Sequence, residues 1–318
     1  VLAAFVEEFD PRDPLLALRV GERPEPTPPP GWTTIKVKAA SINHHDVWSL
    51  RGVGISAESL PMILGCDAAG VTPDGEEVVV HAVVADPVGS KAPGRASVLS
   101  ERHQGTFAET LVVPIANLVP KPAGLSFAEA ACLPTAWLTA YNMLFRQADL
   151  SPGDTVLVQG ASGGLSTALL SLGSAAGLRM WATGRTETGR EHAVHSGAAA
   201  AFAPGERVPA KVDAVMESVG AATWEHSLKA VRPEGTVVVA GATSGYVAQT
   251  ELARIFANRL RIVGTAMGSM PDFRRLLAFC DLQGVKPQIH ASYPLSDARR
   301  AFAAVIDGDV NGKVVLQP

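Results

Sequence analysis

Three cysteines in 318 residues, Cys66, Cys132 and Cys280, stand far apart in the chain. An odd number without Cys-x-x-Cys spacing excludes a disulfide framework and a cysteine-built zinc knuckle, and fits a reducing compartment. Long apolar runs are also missing: none reaches the roughly 20 residues of a membrane-spanning helix. The stretch Val1 to Asp10 carries Glu7 and Glu8 in place of a basic region followed by an apolar core. The expectation is a cytoplasmic protein without an anchor. Charge of one sign is lacking as well, with 27 Lys and Arg against 31 Asp and Glu, a net charge of -4 and no basic block. Nucleic acid and anionic membrane are therefore not expected partners.

What is present is a globular composition, 47% hydrophobic, with length enough for two cores. Proline at five of the seven positions Pro24 to Pro30 rules out a central strand or a helix interior there. After it, Thr34 to Ile42, Glu77 to Val83 and Thr106 to Val113 read as strands, so the first part is β-rich. The small-residue segment 86–96 reads as a loop. Ser126 and Glu129 have capping-box spacing and open an alanine-rich helix predicted to run through Tyr141 and Leu144. Strand-like runs then recur at Val156, Met180, Ala200, Val212, Val237 and Ile262, separated by helix-length segments. That alternation predicts an α/β fold, a doubly wound parallel sheet of about six strands. Helix returns over Pro271 to Leu282, followed by a short strand near Ser292, a capped helix from Ser296 and a last strand over Gly312 to Leu316. The expected domains are 1–122, 123–266 and a tail, 267–318, that rejoins the first.

The segment Asp154-Thr-Val-Leu-Val-Gln-Gly-Ala-Ser-Gly-Gly-Leu-Ser-Thr-Ala168 runs from an apolar strand through a glycine turn into a small-residue helix. Such a turn lets backbone approach a pyrophosphate, and the helix N-terminus favours its charge. Gly160, Ala161, Ser162, Gly163, Gly164 and Leu165 are the candidate binding residues. Ser166 stands where a third glycine is usual, which predicts a slightly wider spacing between helix and strand. At the end of the next strand, Gly184, Arg185 and Thr186 replace the carboxylate that selects NAD. A guanidinium there suits a 2'-phosphate, and Arg190 lies about a turn later, so NADPH is the expected cofactor. The other reading of Arg185 is a solvated loop residue, and Glu187 nearby counts against phosphate.

The order of elements resembles the medium-chain dehydrogenase/reductase superfamily over essentially the whole chain. The resemblance is carried by Ser41-Ile-Asn-His-His-Asp-Val-Trp48, Leu64-Gly-Cys-Asp-Ala-Ala-Gly-Val71, Gly105-Thr-Phe-Ala-Glu109, Leu133-Pro-Thr-Ala-Trp-Leu-Thr-Ala-Tyr141, the glycine turn, Ser218-Val-Gly220 and Gly312-Lys-Val-Val-Leu316. It implies a GroES-like β-rich catalytic domain ahead of a Rossmann domain. Zinc alcohol dehydrogenases of this superfamily hold metal with Cys, His and Cys at places where this chain has Asn43, Cys66 and Thr135. Those three do not form a zinc site. The four-cysteine structural lobe has no counterpart between Val83 and Gly105. A metal set drawn instead from His44, His45, Cys66 and Asp67 meets the objection that neighbouring histidines on an extended strand point to opposite sides.

The chain is thus similar to the zinc-independent, quinone oxidoreductase-like branch, which implies reduction of quinones or conjugated carbonyl compounds. By the resemblance, Asn43 and Thr139 would line the nicotinamide side and Thr135 the vacated metal pocket. His44 would contact pyrophosphate, Lys313 would approach the cofactor, and Gly241, Ala242 and Thr243 would lie beside the nicotinamide. His45 is either the proton donor or a hydrogen-bonded wall of the pocket. Trp48, Trp137 and Leu138 would supply an apolar lining. A homodimer joined at the edge strand Arg261 to Ala266 is expected. The alternatives are an alcohol or aldehyde dehydrogenase with an atypical metal or none, and a non-catalytic NADPH-binding protein.

Overall fold

The computed structural model describes residues 1–85, 96–308 and 310–318. The loop expected at 86–96 lies outside these, apart from Ala96. The described chain divides into two compact units. One comprises 1–135, 269–281 and 286–318, and the other 136–268 and 282–285.

In the first unit the pattern of alternating apolar residues builds a seven-stranded sheet. Its main path runs Leu118–Pro120, Glu77–Val80, Asp67–Val71, Trp32–Ser41, Lys313–Gln317, Ile289–Pro294, and Thr110–Pro114 pairs with the first half of Trp32–Ser41. The long strand Trp32–Ser41 changes partner along its length, which brings Ser41 opposite both Asp67 and Val315. Ile35, Leu64, Phe107, Leu111, Phe302 and Leu316 are among the side chains of its core. The expected strand over Thr106 to Val113 begins only at Thr110; the residues before it form a loop whose amides bond Ile63, Leu64 and Gly65 carbonyls.

His44–Leu50 is a helix, where extended chain was expected. Asn43 caps it with β-region dihedrals, and its amide donates to Asp46 Oδ2 at 2.8 Å. A carboxylate in the first turn of a helix also complements its dipole. The objection to paired histidines therefore changes its basis. Consecutive helical residues point about 100° apart, and here His44 is exposed while His45 turns toward Cys66. The last helix, Ala298–Asp307, takes Asp297 as its cap, after a short 3-10 turn, in place of Ser296.

The second unit carries the parallel sheet, in spatial order Ala200–Phe202, Arg179–Thr183, Thr155–Val158, Val212–Glu217, Val231–Val239, Arg261–Gly264. Order reverses between Thr155–Val158 and Val212–Glu217, the kind of switch point at which open α/β sheets bind ligands. The helix expected from Ser126 to Leu144 is broken into pieces: Phe127–Ala130, a π-helical Leu133–Trp137, Leu138–Asn142 and a π-helical Met143–Gln147. Pro134 lacks an amide donor, so the α-helical ladder cannot pass through it. Among the described residues no helix is long and apolar enough to cross a membrane.

Candidate active site

In the second unit the strand Thr155–Val158 is followed by Gln159, and Gly160 turns the chain with φ +88°, a value that favours glycine. The helix Gly164–Ala175 follows, capped by Gly163. A Cβ built on Gly163 would meet nothing within 4 Å, so the turn is open on the side where phosphate must approach. The first amides of that helix have no intrahelical acceptor by geometry and form an anion-binding end. Ala161 is buried, while Ser162, Gly163, Gly164 and Leu165 are half-buried. These residues fit a dinucleotide pyrophosphate.

Gly184 lies so close to the turn that a Cβ on it would sit 2.9 Å from Ala161 Cβ. Beyond it Arg185 is exposed, and Thr186 caps the helix Glu187–His195 by accepting from the Gly189 amide at 3.1 Å. Arg190 is turned back: its Nη1 donates to Gly184 O at 2.8 Å and its Nη2 pairs with Glu187. Of the two arginines, only Arg185 projects into solvent. At the end of Val231–Val239, Gly241 and Ala242 are half-buried and Thr243 is exposed, its amide on Ser218 O at 3.3 Å. Thr139 Oγ1 accepts from the Met267 amide at 3.1 Å. Trp137 and Leu138, expected in an apolar lining, are both fully buried core residues.

In the first unit two polar clusters form. Lys313 is 3% exposed, and its Nζ donates to Asn43 Oδ1 at 2.6 Å and to Ile42 O at 2.8 Å, with Asp67 Oδ2 at 3.5 Å. Asn43 Nδ2 donates to Asp67 Oδ2 at 2.8 Å, and Ser41 Oγ donates to the same oxygen at 2.8 Å. The strand register explains this meeting, since Ser41 pairs with Asp67 and with Val315, two residues beyond Lys313. Both Asn43 and Lys313 thus spend their polar groups on each other and on Asp67. Thr135 is half-buried at the π-helical turn.

The second cluster centres on His45. Its Nδ1 lies 3.3 Å from Cys66 Sγ and 3.7 Å from Asp46 Oδ1, and its Nε2 lies 3.2 Å from Glu101 Oε1. Cys66, then Asp46 and Glu101, hold the imidazole well above its usual value, against the opposing effect of burial. Burial pushes the Cys66 thiol up, which keeps it protonated at neutral pH, so the two carboxylates are the lasting cause. His45, Asp46 and Cys66 place one donor atom each within 4.8 Å of one another; His44 and Asp67 stand outside that group. Glu101 had no signal in the sequence. Its role depends on a chain contact 56 residues away.

The family models match on both sides of the chain: the alcohol dehydrogenase GroES-like domain over residues 29–123 and the zinc-binding dehydrogenase over residues 188–316. Quinone oxidoreductase of Mus musculus is 27% identical over 311 residues, covering 92% of this chain and 90% of that protein. The chain belongs to the medium-chain dehydrogenase/reductase superfamily. It is a quinone oxidoreductase-like member, an oxidoreductase with the superfamily's pyridine nucleotide-binding fold. Among the solved structures that cover the whole of it are an NAD-dependent alcohol dehydrogenase at 32% identity and TM-score 0.91, covered over 100% of its own chain, and a cobalt- and zinc-bound thermostable alcohol dehydrogenase from Pyrobaculum aerophilum at 29% and 0.89, covered over 99%.

For this dehydrogenase/reductase the zinc implied by the family name fails at the family's ligand positions. Asn43 offers no anionic or imidazole donor, and its oxygen already holds the Lys313 ammonium. A dication next to that charge would be repelled.

Proposed function

We propose that the chain reduces quinones or conjugated carbonyl compounds with NADPH and without zinc at the family's ligand positions. The observation that carries the reading is the Lys313 ammonium seated on Asn43 and Asp67. Reduction of an unactivated ketone develops alkoxide charge that calls for a metal or strong donors, whereas a quinone or conjugated carbonyl spreads that charge itself. Such acceptors ask the protein mainly for positioning.

The glycine turn and the helix amides would hold the pyrophosphate, and the reduced nicotinamide supplies hydride when bound. Arg185 would pair with the 2'-phosphate, since no carboxylate occupies the strand tip and its guanidinium is exposed. His45 carries a proton between Cys66 and Glu101 and is the donor of choice for the reduced product. Self-association is part of the reading. Arg261–Gly264 is an edge strand, and Ile262 on it is exposed, as are Tyr246, Leu252 and Phe256 of the same unit.

The test is steady-state oxidation of NADPH and NADH by a simple ortho- or para-quinone, with protein dialysed against a chelator. Turnover with NADPH preferred is expected. Arg185→Ala should raise KM for NADPH about tenfold and leave NADH nearly unchanged; equal small effects on both reject the phosphate contact. A second reading, a dehydrogenase with an atypical metal, is favoured by the grouping of His45, Asp46 and Cys66. Stoichiometric zinc by elemental analysis, with turnover restored only by metal, would replace the first reading with the second.

A further inference from the structure

Glu217, at the end of Val212–Glu217, is a fully buried carboxylate with a set of donors and no counter-cation among the described residues. Its Oε1 accepts from the amides of Val219 at 2.8 Å and Gly220 at 2.9 Å, and Thr223 Oγ1 donates at 2.9 Å. Its Oε2 accepts from Ser227 Oγ at 2.6 Å. A hydroxyl has one proton, so Ser227, having given its proton to Glu217, must accept from Gln159 Nε2 at 3.0 Å. The other Nε2 proton goes to His226 Nδ1 at 2.9 Å. That leaves Gln159 Oε1 to accept from Thr183 Oγ1 at 2.8 Å, and Thr183 Oγ1 to accept from the Gly160 amide at 3.2 Å.

One proton of each link along Gly160, Thr183, Gln159 and Ser227 therefore points toward Glu217. The path joins the C-terminal ends of three neighbouring strands, Thr155–Val158, Arg179–Thr183 and Val212–Glu217, by way of Ser227 in the helix Trp224–Ala230. It is a one-directional chain, in which each bond polarises the next. A carboxylate accepts only, so it can end such a chain; a glutamine in its place would keep its oxygen for the amides of Val219 and Gly220 and turn its NH2 toward Ser227 Oγ, which then finds no acceptor there for its own proton.

We propose that Glu217 is a positioning residue for the nucleotide. Through Ser227, Gln159 and Thr183 it orients the glycine turn, and through Val219 and Gly220 it orients the turn beside it. The Gly160 amide is committed to Thr183, so the phosphate-binding amides are those that follow it. This rests on the nucleotide site described above.

The test uses the whole protein and two readouts. Amide hydrogen exchange follows the glycine turn without any ligand, and NADPH fluorescence gives Kd well below the unfolding temperature. Glu217→Gln and Thr183→Val should each speed exchange at Gly160 to Gly164 and raise Kd about tenfold. Thr183→Ser should restore both. Val215→Ala, a core truncation in the same strand as Glu217, is the control for destabilisation and should leave Kd within about twofold. Unchanged exchange at the turn in Glu217→Gln, or an equal rise of Kd in Val215→Ala, overturns the proposal. Wild type that binds neither NADPH nor NADH removes the nucleotide reading itself, and with it the positioning role, whatever exchange shows.

Discussion

Replacing Lys313 by Met removes an ammonium that is 3% exposed and leaves Asp67, fully buried, with its charge facing only the Ser41 hydroxyl and the Asn43 amide. Asp67 Oδ1 has no hydrogen-bond partner among the described residues, so no further donor compensates. Asn43 Oδ1 and Ile42 O lose their lysine donor at the same time. Breaking a buried pair from one side costs roughly 3–5 kcal/mol, with the orphaned acceptors contained in that figure. With a urea dependence of about 2–3 kcal/mol per molar, the midpoint of the first unit's transition should fall by about 1–2.5 M. The double variant Lys313→Met with Asp67→Asn removes both charges and should recover most of the loss, because an uncharged pair pays no desolvation. Urea unfolding followed by circular dichroism reads all three proteins. A single variant that loses less than about 1 kcal/mol, or a double variant worse than the single, refutes the claim that the ammonium neutralises Asp67.

Three further outcomes are expected. Asp213 Oδ2 accepts from the Thr155 amide at 2.8 Å and its Oδ1 from Arg232; though burial raises its pKa, these bonds prevail and hold it below the ordinary value. Its contribution is present above the unfolded pKa of about 3.9 and lost as pH falls through the folded one. Asp213→Asn should therefore lower the urea midpoint near neutrality and converge on wild type as pH falls below the lowered folded-state value; a constant gap at all pH values contradicts this. Phe302, fully buried, meets Phe107 edge to face at 5.9 Å, and Phe302→Ala should cost about 3–5 kcal/mol in thermal or urea unfolding. Ile262→Lys places a charge on the exposed edge strand and should convert a dimer to a monomer in light scattering; a wild-type monomer at micromolar concentration rejects the dimer outright.

The parallel sheet was legible because each of its six strands is an apolar run bounded by turn residues, and this period survives in any tertiary setting. The glycine turn was legible for the same local reason: Gly160 must adopt a positive φ, and the residues after it must stay small. The His44–Leu50 helix was missed, since Ile42 and the residues before it alternate as a strand and the cap at Asn43 works through Asp46, three residues on. The apolar neighbours of Pro134 keep a helical period, but its missing amide ends the α-helical ladder there. Trp137 and Leu138 lie in the core instead of an apolar lining; a large apolar side chain carries no mark in the sequence that distinguishes the two.

By itself the sequence determined the class of the protein: an α/β chain with a dinucleotide turn, without the cysteines for a zinc lobe and without the ligands for zinc at Asn43 and Thr135. These follow from residue identity and short-range spacing, which no packing can alter. Only the tertiary structure decided which polar groups meet. Lys313 reaches Asp67 because two strands pair in one register, Glu101 reaches His45 across a loop, and Glu217 governs Gly160 through Ser227, Gln159 and Thr183. A buried charge is tolerated only where its partners converge, and that convergence is a property of the assembled fold.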